Sequence, residues 1–286
     1  MKKWNLIVDV AKCFNCNNCA LAVHDEYFDN EFPGYATSMP RLGHRWIDLI
    51  QRERGQYPMI DVVTLPVTCN HCDDAPCVKA AQNGAVKKRT DGIVVIDPEK
   101  ARGQRQIVES CPYDAVWWNN EKQVPQAWPF DAHLLDTGWT KTRASQSCPT
   151  EAIRTLHVTD DEMRKIAAEE RLEVLNPEYG TKPRVYYKNL HRFTQAFVGG
   201  SLAGMVDGVD ECLAGVTVTL SRGGAMVASA VTDTFGDFRI DRLPKDGAEY
   251  VLNIARPGFA AKSVPVTVSD SIYLGVIHLP AQPAAA

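Results

Sequence analysis

Cys13-Phe14-Asn15-Cys16-Asn17-Asn18-Cys19 places three cysteines on one short stretch, each separated from the next by two residues. A second triplet follows: Cys69-Asn70-His71-Cys72, then Cys77 after Asp73-Asp74-Ala75-Pro76. Two lone cysteines come later, Cys111 and Cys148, each directly before a proline, Pro112 and Pro149. Three close thiolates can wrap three irons of a four-iron cubane, and the fourth thiolate must arrive from another part of the chain. Zinc is the alternative, since Cys-x2-Cys pairs also make structural zinc sites. Zinc takes four tetrahedral ligands, so the third cysteine of each triplet would be surplus, and the spacing predicts iron–sulfur ligation.

A triplet with a remote Cys-Pro is the logic of bacterial ferredoxins, in which the fourth cysteine of one motif ligates the cluster of the other. That exchange predicts two [4Fe-4S] clusters, one on Cys13, Cys16, Cys19 and Cys148, the other on Cys69, Cys72, Cys77 and Cys111. The missing cysteines fit the same logic. Projecting the first spacing back from Cys111 puts triplet slots at Ala101, Gln104 and Ile107, and the exchanged fourth slot falls on Ala81. Val23 is the fourth slot of the first motif, and Trp128, Asp131 and Ala144 stand at the slots before Cys148. Ligands are thus absent in whole sets. His24 or Asp131 as unusual ligands would still leave a third cluster short. His71 is expected to tune its cluster by hydrogen bonding rather than ligate, and Cys212 to be a small buried hydrophobe.

The 286 residues are 45% hydrophobic and 23% charged, as in a globular protein with room for one large or two ordinary domains. A net charge of -4 gives no electrostatic reason for a nucleic-acid partner. Lys87-Lys88-Arg89 before Thr90-Asp91-Gly92 reads as a solvated hairpin end. The opening Met1–Val10 segment has two lysines, but Asn5 and Asp9 interrupt its apolar run, unlike a signal peptide. No stretch approaches the roughly 18 apolar residues of a membrane span. A cytoplasmic protein is expected, in which nine cysteines persist as thiols or metal ligands.

Thr159 with Asp160, Asp161 and Glu162 predicts a capped helix over 159–174, and 176–198 reads as an extended connector. Gly199-Gly200 marks a boundary. Beyond it, strand-like runs at 216–220, 226–231, 237–240, 250–254 and 263–268 alternate with Gly and Pro turns, the pattern of a small β-sandwich. The expected fold class is α+β: a ferredoxin-like double-cluster domain over 1–198 and a β-sandwich over 199–286. The run Thr232-Asp233-Thr234-Phe235-Gly236-Asp237-Phe238, with Tyr250 and Gly258-Phe259, resembles transthyretin-like (prealbumin, carboxypeptidase-regulatory) sandwiches.

The motif order, Asp97-Pro98-Glu99-Lys100 and Cys111-Pro112-Tyr113 resemble the iron–sulfur small subunits of molybdopterin oxidoreductases of the DMSO reductase family. The first cysteine triplet, Phe32-Pro33-Gly34-Tyr35, Gly43-His44-Arg45-Trp46, Arg52-Glu53-Arg54-Gly55 with Tyr57-Pro58, Ala132-His133-Leu134-Leu135 and Gly180–Leu190 narrow the likeness. They resemble small subunits of the pyrogallol–phloroglucinol transhydroxylase and resorcinol hydroxylase-like group, over essentially the whole chain. The resemblance implies a non-catalytic electron-transfer subunit in a heterodimer, or an assembly of heterodimers. Its large partner would carry molybdenum on two pterin guanine dinucleotides and hydroxylate, dehydroxylate or transhydroxylate polyphenols. The alternative is a partner with formate, nitrate or sulfur-compound chemistry. The group's small subunit is expected to hold three clusters, but Val23, Trp128, Asp131 and Ala144 occupy the third set's positions, so a third cluster is not expected. No catalytic residues are expected in this chain. The Arg- and aromatic-containing segment 28–66 reads either as a docking surface or as a cluster-shielding loop.

Overall fold

The structure, a computed structural model, describes residues 1–282. Two compact units divide it. The first comprises Met1–Gln51 and Thr64–Leu190; the second comprises Arg52–Val63 and the chain from His191 onward. Among the described residues no helix is long and apolar enough to cross a membrane.

The first unit is built on the strand Lys2–Asp9, which runs antiparallel to Ile153–Thr159 and parallel to Val185–Lys188. Leu6, Ile7 and Val8 are all buried, each stabilising the unit by about 1.5–3 kcal/mol. The polar residues that interrupt this strand find partners. Asp9 accepts from the Ala11 backbone at 3.0 Å and from Asn189 at 2.8 Å. The Asp160–Glu170 helix carries the expected start, a reciprocal capping box between Thr159 and Glu162. It ends at Arg171, in the left-handed region, short of residue 174. There the chain turns to bridge Glu173 with Tyr187. The extended connector is corrected accordingly: Val185–Lys188 is a sheet strand, and a helical turn at His191–Thr194 leads into the strand Ala196–Val206.

The second unit is a β-sandwich. In one sheet Ala196–Val206 is central, pairing with Val209–Cys212, Asp237–Leu243 and, in parallel, Ile272–Leu279. The other sheet orders Ala225–Val231, Thr217–Arg222, Ala248–Ile254 and Lys262–Val268, all antiparallel. Leu202, Val218, Leu220, Leu252 and Val268 are among the buried residues of its core. Gly199 and Gly200, read from sequence as a boundary, are interior strand residues; a Cβ at Gly200 would lie 3.0 Å from the Phe238 ring. Cys212 is a correction too. It is exposed, because the strand Val209–Cys212 buries neither face.

Arg54 sits in this unit with its side chain only 3% exposed, paired with Asp61 at 2.7 Å and Asp241 at 3.0 Å. Arg192 and Arg239 also reach Asp61, at 2.5 and 3.0 Å. Burial works to raise the Asp61 carboxyl, but hydrogen bonds from Arg192, Arg239 and Arg54 prevail and hold it down at about 2.

Candidate iron–sulfur sites

The first triplet follows the Lys2–Asp9 strand. Asn15 and Asn17 take left-handed backbone angles, φ 62° and 63°, a region asparagine enters at little cost. Cys19 lies in the first turn of the helix Asn18–Tyr27, and Cys148 directly follows the helix Arg143–Ser147. Cys13, Cys16, Cys19 and Cys148 line one small cavity with Phe14, Leu49 and Ile153 among its other walls. Burial pushes the Cys19 thiol up to about 12, and the neighbouring Cys13, Cys148 and Cys16 push it the same way. Burial also raises Cys13, opposed by the Asn15 backbone N–H and reinforced by Cys148 and Cys16. Thiols held neutral by burial and by one another are those that a bound cation deprotonates, releasing protons as it binds.

The second set converges in the same way. Burial drives the Cys69 thiol well above its ordinary value, with Cys77, Cys111 and Cys72 as interacting neighbours. Cys77 is raised to about 12 by burial, then by Cys111 and Cys72. Burial raises Cys111 as well, while backbone N–H groups of Ala115, Tyr113 and Val116 donate toward its sulfur and oppose that rise. Such donors stabilise the thiolate form and help set the potential of any cluster bound there. Among the described residues no three His, Cys, Asp or Glu converge tightly enough for a single ion.

A strap missed by the sequence reading holds the second loop. Asp73 and Asp74 donate backbone N–H to Lys182 and Thr181 carbonyls at 2.9 and 3.0 Å, and Arg184 donates its own to Asn70 at 2.8 Å. The Arg184 guanidinium is 3% exposed; it grips both oxygens of Asp73 at 2.7 and 2.6 Å and reaches Asp160 at 2.9 Å and Asn5 at 3.1 Å. Gly92 leaves room for it, since a Cβ there would lie 2.8 Å from Arg184 Cδ. Burial opposes ionisation of Asp73, but hydrogen bonds from Arg184 and Lys88 hold its carboxyl below the usual range. Lys88 is therefore no solvated hairpin residue: its ammonium meets Asp73 at 2.9 Å and donates to the carbonyls of His71 and Gly92, both at 2.7 Å. The one sequence signal for this strap was an arginine set against the apolar run Val185-Tyr186-Tyr187.

His71 Nδ1 accepts from the Val94 backbone at 3.1 Å, which assigns the ring proton to Nε2. Burial, then Lys88 and Arg184, lower its pKa to about 3, so the ring is neutral. Nε2 is buried without a hydrogen-bond partner among the described residues.

Protein groups fill the regions of the missing ligands. Ala101 and Ile107 are fully buried in one apolar cluster with Ala85, Val86, Val94 and Ile96, against which Ala81 packs. Gln104 accepts from Gln82 N–H at 2.8 Å and donates to Lys100 O at 2.7 Å. In the other set Val23, Trp128, Asp131 and Ala144 are all buried. Asp131 accepts from Tyr27 Oη at 2.9 Å, from Trp128 Nε1 at 2.8 Å and from the Arg143 backbone at 2.7 Å. Within 28–66, Trp46 is 2% exposed and Arg54 belongs to the ion-pair cluster of the second unit, while Arg41, Arg45, Arg52 and Tyr57 are exposed.

The 4Fe-4S dicluster domain family matches residues 60–158, and the carboxypeptidase regulatory-like domain family matches 201–274. The chain is 45% identical over 98% of its length to the pyrogallol hydroxytransferase small subunit of Pelobacter acidigallici, covering 100% of that protein. It is 32% identical to a tetrathionate reductase subunit of Salmonella typhimurium, over 66% of this chain and 73% of that one. The arsenate respiratory reductase iron–sulfur subunit of a Shewanella species is 26% identical, over 64% of this chain and 94% of that one. The chain therefore belongs to the family of the pyrogallol hydroxytransferase small subunit, with a 4Fe-4S dicluster domain followed by a carboxypeptidase regulatory-like sandwich.

Proposed function

We propose that this chain is the electron-transfer subunit of a molybdenum enzyme acting on polyphenols, and that it holds two [4Fe-4S] clusters. Cys13, Cys16, Cys19 and Cys148 would bind one, and Cys69, Cys72, Cys77 and Cys111 the other. The observation that carries the reading is the cavity walled by a contiguous triplet and a cysteine from far along the chain, as ligand exchange between ferredoxin motifs requires. Bound clusters would supply one-electron transfer. The chain's own part is to present thiolates, to donate backbone N–H groups to their sulfurs, and to seal the second site behind the Thr181–Arg184 strap. The apolar filling at Ala101 and Ile107 and the carboxylate at position 131 support two clusters rather than three or four.

The similarity over the full length of the hydroxytransferase small subunit supports a large partner bearing a molybdopterin cofactor, with catalysis in that partner. Anaerobic purification tests the cofactor reading: about eight irons per chain supports it, about twelve would restore a third cluster, and a colourless zinc protein would end it. Isolation of the native protein without a large molybdenum-containing subunit would end the partnership. Activity of the complex on pyrogallol, resorcinol or catechol, compared with formate, nitrate or tetrathionate, separates the polyphenol reading from its alternative.

A further inference from the structure

Asp131 is buried at 0% exposure and sits at a left-handed backbone position, φ 53°. Its three hydrogen-bond donors come from three separate places: Tyr27, Trp128 and the backbone of Arg143. Tyr27 is the last residue of the helix that carries Cys19, and Arg143 is the first residue of the helix that ends against Cys148. One carboxylate thus ties together the two helices that deliver these thiols. A second tie runs alongside, from Glu26 to His133 at 2.9 Å and to Arg143 Nε at 3.2 Å.

We infer that Asp131 is a positioning residue for the first cluster site, doing with hydrogen bonds what an absent cluster at Val23, Trp128, Asp131 and Ala144 would otherwise do by ligation. The inference rests on the reading of Cys13, Cys16, Cys19 and Cys148 as cluster ligands. Its chemistry is specific to a carboxylate. Oδ1 serves Tyr27 and Trp128 while Oδ2 serves the Arg143 N–H. An amide of the same shape would turn an NH2 toward one of these donors and lose that bond. Charge-assisted bonds in a buried site are the strong kind, so the effect should concentrate on the helices they join.

The test compares anaerobically purified wild type with Asp131→Asn, Tyr27→Phe and Cys148→Ser. Each is followed by iron content, the paramagnetic signals and potentials of the reduced clusters, and the rate of cluster loss to an iron chelator. Asp131→Asn is expected to release the first cluster about tenfold faster, the scale of one lost charge-assisted hydrogen bond, and to shift its potential. The second cluster should keep its rate and potential, which a general loss of stability would not allow. Tyr27→Phe should show a smaller change of the same kind. Equal acceleration at both sites, or none at either, overturns the inference while leaving the cluster assignment standing. If Cys148→Ser removes no iron, the assignment is refuted and the inference falls with it.

Discussion

Replacing Arg184 with methionine should loosen the loop of the second cysteine triplet while leaving the first triplet alone. The guanidinium makes four side-chain hydrogen bonds, three of them to the carboxylates of Asp73 and Asp160. Removing one partner of a buried ion pair costs about 3–5 kcal/mol when the other charge is stranded. Here the stranding is partial. Asp73 keeps Lys88 at 2.9 Å, Asp160 keeps Lys3 at 2.7 Å, and the two carboxylates are 32% and 45% exposed. A loss of about 2–3 kcal/mol is the consistent estimate, and methionine should recover part of the stem's packing. For a unit of this size that lowers the melting temperature by about 4–10 °C. Arg184→Lys keeps the charge but not the two-pronged grip, so about half that loss is expected.

The pH dependence has a definite sign. Asp73 is held below its usual range in the folded chain, so the stability it contributes is present above the unfolded carboxylate pKa. That stability disappears as pH falls through the lower, folded value. The gap between wild type and Arg184→Met should therefore narrow in acid. The assay is anaerobic thermal unfolding followed by circular dichroism and by the visible absorbance of the clusters, with iron counted before and after. Equal melting temperatures at neutral pH, or a gap that widens in acid, would refute the reasoning.

Other outcomes follow from the same geometry. Cys148→Ser and Cys111→Ser should each remove about half the iron and each erase a different paramagnetic signal; loss of both signals from either single change would break the assignment of separate sets. Asp61→Asn should destabilise the second unit by about 2 kcal/mol at neutral pH, the worth of a carboxyl moved from 3.8 to about 2. Because that carboxyl is depressed, the difference should persist above about pH 4 and vanish as pH approaches 2; a pH-independent difference in denaturant midpoints contradicts the ion-pair account. Ile107→Ala opens a cavity at a side chain with 0% exposure. It should cost about 2–5 kcal/mol in denaturant unfolding, and a neutral result would show that the apolar filling there is not packed.

The grouping of the cysteines was legible because it is written in local spacing. The cavity gathers Cys148 with the first triplet, and Cys111 is a neighbour of Cys77 and Cys72 in the second. The capping box at Thr159 is equally local, and so was found. The connector misled because Val185–Lys188 is a strand only by virtue of its parallel partner Lys2–Asp9, and no periodicity in four residues announces that. The glycines at 199 and 200 misled for a related reason: the space their missing side chains leave is taken by Met59 beside Gly199 and by the Phe238 ring beside Gly200. Cys212 was misplaced because neither face of its strand is covered.

The sequence by itself determined which cysteines stand at ferredoxin-like spacing and that the slots projected for further ligand sets carry none, since both depend on residue identity and short spacing. It also determined that strands alternating with turns after residue 200 make a sandwich. Tertiary structure alone decided what holds those thiols in place. Arg184 reaches Asp73 across 111 positions and Tyr27 reaches Asp131 across 104, and such pairings are favourable only once folding has removed the water that would otherwise solvate each partner.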